Sequence, residues 1–249
     1  MASRDFQFVL AFAAATPLLL GARAESVSPA EAEVPKIAAR DMRGIGYAWV
    51  DVPRNFRLKI RVPRPFNVQD ANANVRCAGV AMTGGYSLIS RKAPEGLIVI
   101  DGRQVSPHIK RVDGGVLDIR GSQVSLVRRS AVQPASPSTS QIYSQPILIF
   151  DGKIDGTFKN GKANRIALGK YVDGQIFMVM AFNGSRGGMS AVTLRQFAVD
   201  VAALTPRKVD WLLAFDGGPS AFIKVAGQRL VSATNGTSVS YLCAEPEND

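Results

Sequence analysis

The chain has 249 residues, 46% of them hydrophobic, with 30 Lys and Arg against 20 Asp and Glu, a net charge of +10. That length is ample for a buried core without disulfide staples, and the two cysteines, Cys77 and Cys243, lack a His or Cys at ligand spacing, which excludes a structural zinc site. The positive balance suits an anionic partner: nucleic acid, anionic envelope lipid or polymer, or a phosphate-bearing small substrate.

Residues 1–24 read as a secretory signal peptide. Arg4 supplies the charge, residues 8–20 are apolar except for Thr16 and Pro17, and Ala22-Arg23-Ala24 offers the cleavage site, so the mature chain is expected to start at Glu25. The apolar stretch is shorter than the roughly 20 residues a membrane span needs, and no later run approaches that length. The expected product is an exported protein, periplasmic or secreted, without stable membrane insertion once cleaved; an uncleaved signal acting as an anchor stays open. Export argues against nucleic acid, as does the scatter of the basic residues, which form no aromatic-rich stripe. An anionic glycan or sugar phosphate remains, and residues 25–249 are expected to form a single domain. Cys77 and Cys243 are either paired, as the exported compartment permits, or buried as free thiols.

Beyond the leader, residues 68–74 are expected to form a short helix. It feeds an apolar strand over residues 75–82 that stops at Thr83-Gly84-Gly85-Tyr86. Hairpins should dominate the middle, because Asp-Gly occurs at Asp101, Asp113, Asp151, Asp155, Asp173 and Asp216, mostly between short apolar runs. Residues 116–127 alternate in part, with Val116, Ile119, Val124 and Leu126 as inward positions. Residues 130–140, rich in Ser, Pro and Gln, read as a surface loop leading into a strand at Ile142. Thr193-Leu194-Arg195-Gln196 matches a capping box, and Leu194, Phe197, Ala198, Val201 and Leu204 recur at helical spacing before Thr205-Pro206 ends the run. Residues 211–215 are apolar without alternation, the mark of a strand buried on both faces, and they stop at Asp216-Gly217-Gly218. Asp216 thus sits at the rim of a core, although Asp-Gly is equally a hairpin signal that needs no ligand.

Taken in order, Gly84-Gly85-Tyr86, Tyr143-Ser144-Gln145-Pro146, Arg165-Ile166-Ala167-Leu168-Gly169, Thr193-Leu194 with its helix, and Asp216-Gly217-Gly218-Pro219-Ser220 resemble the phosphodiester glycosidase family over residues 75–223. The resemblance implies an α+β fold: a curved, largely antiparallel β-sheet with a few packed helices. It also implies hydrolysis of the bond between a sugar anomeric carbon and a phosphodiester, and its bacterial members are exported; for an exported chain the expected substrate is an envelope or exopolysaccharide glycan. Carried onto this chain, it makes Arg165 the phosphate clamp, a role for which the planar guanidinium fork is matched to phosphate oxygens. Asp216 becomes the carboxylate that stabilises oxocarbenium character, attacks the sugar carbon or activates water. Thr83, Gly84, Gly85, Ser144, Gly217, Gly218 and Ser220 become substrate-binding residues, with the glycine amides offered to phosphate or sugar oxygens. No cofactor and no metal are implied. The chain departs from the family's pattern at Thr83 and Ile166, where Asn and Thr are usual, at Ala214, where Asn is usual, and at Tyr143-Ser144-Gln145, where Gln-Ser-Gly is usual. The alternative reading is a catalytically silent glycan- or phosphate-binding protein; a cationic envelope scaffold is a third.

Other constellations are weaker. His108, the one histidine, lies between Pro107 and Lys110-Arg111 and reads as a solvated loop residue; Ser190 lacks the strand of a nucleophile elbow. Asp151 to Asp155 lacks the further ligands of a calcium loop. Lys159, Lys162 and Arg165 form a small basic run around Gly161 that can attract an anion.

Overall fold

Trp211 to Ala214 are apolar in an unbroken row because both faces of the strand Val209–Ala214 are covered. In the computed structural model Trp211 and Leu213 enter one apolar cluster, while Leu212 and Ala214 enter another on the opposite face. The structure describes residues 34–62, 69–70, 75–88, 93–106, 114–132, 135–156, 158, 160–182, 192–228, 231–232 and 237–247. The signal segment 1–24, His108, Lys159 and Ser190 lie outside them.

This strand belongs to a seven-stranded sheet in the order Ala38–Met42, Ile45–Asp51, Ile176–Phe182, Arg165–Tyr171, Val209–Ala214, Ile147–Phe150, Lys153–Ile154. On one face the helix Leu194–Leu204 packs Phe197, Ala198 and Val201 against Tyr47, Trp49, Val179 and Leu212. On the other face the large cluster draws Met178, Leu168 and Leu213 together with side chains of two further sheets. One has the order Gln123–Arg128, Gly115–Arg120, Thr139–Ser144, Ile98–Ile100, Arg103–Gln104. The other runs Val231–Ser232, Phe222–Val225, Val80–Thr83, Tyr241–Pro246, Phe56–Arg61. Two further two-stranded pairings complete the described β-structure, and all described strand pairs are antiparallel. These strands fall in one unit, Glu33–Asp249. No helix among the described residues is long and apolar enough to cross a membrane.

Several expectations meet their physical basis here. Asp101-Gly102 and Asp151-Gly152 both have positive φ at both residues and each closes a hairpin, as the primed turns require. Thr193 caps the helix by accepting from Gln196 N at 3.1 Å. Cys77 and Cys243 are bonded to each other.

Others need correction. The β-structure is mostly antiparallel, as expected, but it is divided among three larger sheets rather than gathered into one. The described residues hold one α-helix and two short 3-10 turns instead of several packed helices. Within the expected helix 68–74, Gln69–Asp70 is a short strand paired with Thr237–Ser238. Seven residues fall well below the roughly 12–15 at which a helix sustains itself, and a distant strand claims these two; residues 71–74 lie outside the described set. Val116 is buried but lies outside the cluster that takes Leu117, Ile119, Val124 and Leu126, because three positions along a strand reverse the face. The strand expected at Ile142 begins at Thr139, since Thr139 and Gln141 are buried despite being polar.

Candidate functional site

Two strand ends from different sheets meet. The strand Val80–Thr83 runs into Gly84, whose N donates to Ser240 O at 2.9 Å. A Cβ at Gly84 would lie 2.5 Å from Ser240 Oγ, so the approach admits glycine alone. The strand Val209–Ala214 runs into Phe215, whose N donates to Ile166 O at 2.9 Å, and Asp216 N then donates to Gly84 O at 3.1 Å. That bond joins the two glycine-rich turns.

The second turn is fastened from beneath. Gly218 N donates to Asn164 O at 2.8 Å, and a Cβ on Gly217 would lie 2.6 Å from the same oxygen. Gly218 has φ +59°, and Gly218–Ser220 forms a 3-10 turn closed by Ser220 N on Gly217 O at 3.2 Å. The residues after Asp216 therefore lie directly against Asn164-Arg165, at the start of the strand Arg165–Tyr171. Asp216, Gly217, Gly218, Ser220 and Arg165 are half-buried, whereas Gly84 and Gly85 are buried.

Arg165 is held by main-chain oxygens: Nε donates to Val192 O at 3.2 Å and Nη2 to Gly161 O. It pairs with no described carboxylate. Burial pulls its pKa below the ordinary value, with nearby Tyr86 acting against that shift. Tyr86 donates from its hydroxyl to Gln145 O at 2.9 Å, which fixes the Tyr143-to-Pro146 segment and its cis Gln145–Pro146 bond beside the site. Pro146 O in turn accepts from Ala214 N at 3.0 Å.

The hydroxyls of Thr83 and Ser144 are engaged inside the protein. Thr83 Oγ1 donates to Ser220 O at 2.7 Å and accepts from Phe222 N at 2.9 Å, and Ser144 Oγ donates to Ala214 O at 2.5 Å; both residues are fully buried. Gly84 and Gly218 amides are likewise engaged, whereas no described main-chain carbonyl accepts from Gly85 or Gly217. Ile166 and Ala214 sit in the apolar clusters on opposite faces of the central sheet. Two residues enter that the sequence did not single out. Asn164 is 1% exposed with neither carboxamide atom hydrogen-bonded, and Ser240 Oγ under Gly84 is likewise unpartnered. Asn164 stands directly before Arg165, which was its only signal; Ser240 carried none. For metal chemistry, the one mutually close group of three ligand-type side chains among the described residues is Cys77, Cys243 and Glu245, and its sulfurs are bonded to each other.

Residues 76–240 match the phosphodiester glycosidase family. The fold is similar to that of the zebrafish N-acetylglucosamine-1-phosphodiester alpha-N-acetylglucosaminidase catalytic domain, a structure auto-inhibited by its pro-peptide, with TM-score 0.65 and 18% identity over 89% of this chain and 85% of that one. A hypothetical protein from Synechocystis gives TM-score 0.58 and 14% identity, over 84% of this chain and 61% of that one. A candidate exported protein from Burkholderia pseudomallei gives 0.56 and 13%, over 81% and 74%. None of the curated proteins matches by sequence.

Proposed function

We propose, for a chain that belongs to the phosphodiester glycosidase family, an exported hydrolase that cleaves a sugar-1-phosphodiester bond in an envelope or exopolysaccharide glycan. The observation that carries the reading is Arg165: a half-buried guanidinium with no described carboxylate partner, oriented by two carbonyls beside the Asp216 turn. A fixed cation of this kind neutralises a phosphodiester and holds it by paired N–H bonds. Asp216, one residue from Gly217 on the same rim, is the catalytic carboxylate. The anomeric carbon–oxygen bond breaks with the electron pair leaving on the phosphate oxygen, Asp216 stabilises the positive charge left on the sugar, and water supplies the new hydroxyl, its released proton passing to the departing phosphate or to solvent. Because a phosphate leaves as a weak base, no second carboxylic acid is needed. Gly85 and Gly217 amides face the substrate in this reading. Thr83 and Ser144 act as positioning residues, holding the Ser220 and Ala214 carbonyls and through them the turn.

The substrate class is supported by the zebrafish relative, whose name specifies an N-acetylglucosamine-1-phosphodiester. Export is supported by the signal-like residues 1–24 and the candidate exported relative. A second reading, a silent glycan- or phosphate-binding protein, is favoured by the apolar Ile166 and Ala214, which bring no polar group to the rim. Release of free sugar from a panel of glycosyl-1-phosphodiesters decides between them. Turnover by the wild type, abolished in Asp216→Asn and in Arg165→Ala, is the expected result; saturable binding without turnover would favour the second reading.

A further inference from the structure

Toward the other end of the Arg165–Tyr171 strand a separate cleft opens. Lys170 stands five residues from Arg165, roughly 17 Å away at about 3.3 Å per residue, and it lines a cavity of about 500 Å³. Three turns form its walls: the one after the strand Ile45–Asp51, the hairpin between Gly115–Arg120 and Gln123–Arg128, and the hairpin between Arg165–Tyr171 and Ile176–Phe182. That volume lies within the range of roughly 300–1,000 Å³ typical of ligand sites.

The lining has a definite chemistry. Among the described lining residues Arg54, Arg120 and Lys170 stand with Asp118 as the only carboxylate, and Asp118 is already taken by two bonds from Arg120 at 3.1 and 3.2 Å. Arg54 is paired outside the cleft with Asp173. Lys170 is different: it is half-buried, pairs with no described carboxylate, and among the described residues its Nζ reaches only Val124 O at 3.4 Å. Ammonium groups carry three donors, so this one keeps donors open toward the cavity. Ser122, Gln123 and Ser125 add neutral groups that both donate and accept, as sugar hydroxyls do. Phe56, the one aromatic residue among the described lining residues, is only 7% exposed. The described lining therefore presents no ring for stacking, which disfavours a nucleobase.

We propose that this cleft binds an anionic oligosaccharide, with one carboxylate or phosphate of the glycan on Lys170 and neighbouring hydroxyls on the Ser122–Ser125 wall. It is a binding site apart from the Arg165–Asp216 rim and stands whether or not that rim is catalytic. Its use would be to hold a charged glycan chain on the protein.

The test is calorimetric titration of the full chain with a mannuronate hexasaccharide, against neutral maltohexaose and inorganic phosphate. Lys170→Gln removes the cation, and Ser122→Trp fills the cleft from an exposed turn position, so the second variant serves even where the first fails to fold. Arg165→Ala is the control for the rim. The expected result is saturable one-to-one binding of the mannuronate hexasaccharide alone, weakened about tenfold or more by each cleft variant, unchanged in Arg165→Ala, and weaker at higher salt. Absence of saturable binding would overturn the proposal. So would equal binding of phosphate or maltohexaose, equal binding by the cleft variants, or loss of binding in Arg165→Ala.

Discussion

Gly217 sits so close to the chain beneath it that a single methyl group has no place. Its Cβ would fall 2.6 Å from Asn164 O, a backbone atom that also holds Gly218 N. Gly217→Ala must push the turn away from Asn164-Arg165, and overpacking of this kind costs about 1–3 kcal/mol. Urea unfolding of Gly217→Ala is expected to show that loss, together with reduced affinity for a sugar phosphodiester because Asp216 moves with the turn. Unchanged stability would mean the turn is looser than its contacts indicate. The place of Asp216 at the end of an apolar strand was legible in the sequence, whereas Arg165 was singled out only through the family resemblance and the basic run around Gly161. Asn164 and Ser240 were not, since what distinguishes them is the absence of a hydrogen-bond partner, and partners are set by chain segments far away in sequence.

Among the elements, the helix Leu194–Leu204 was legible because its evidence is local: a capping threonine, helical spacing of apolar residues and a proline two residues after the end. Thr193→Ala removes the acceptor for Gln196 N and is expected to lower stability by about 1 kcal/mol, read as a lower urea midpoint with an unchanged slope. The strand Gly115–Arg120 was harder. Five of its six residues are buried, Asp118 included, so it lacks the alternation that would have placed Val116 on the face opposite Ile119. Gln69–Asp70 was misread for the complementary reason: two residues carry no periodicity, and their pairing with Thr237–Ser238 is invisible locally.

For the whole molecule, strand type was legible and sheet membership was not. Val80–Thr83 pairs with Phe222–Val225 and Tyr241–Pro246, close to the other end of the chain, so a pattern read along the sequence could not divide one sheet into three. The Cys77–Cys243 bond spans 166 residues and ties the entry to the Gly84 strand onto that late strand. Constraining so long a loop stabilises by roughly 2–5 kcal/mol. Thermal unfolding under reducing conditions, and of the Cys77→Ser, Cys243→Ser double variant, should therefore show matching falls in Tm; no change in either would remove the bond from any structural role.

The central claim is that Arg165 and the two joined turns form one sugar-phosphodiester site. The most direct measurement is calorimetric titration with a non-hydrolysable analogue of N-acetylglucosamine 1-(methyl phosphate), in which a methylene replaces the anomeric oxygen and the single negative charge on phosphorus is kept. Wild type is predicted to bind one equivalent, with Kd raised about tenfold or more in Arg165→Gln and nearly unchanged in Asp216→Asn, which keeps the turn but loses the charge. Equal affinity in wild type and Arg165→Gln would contradict the account.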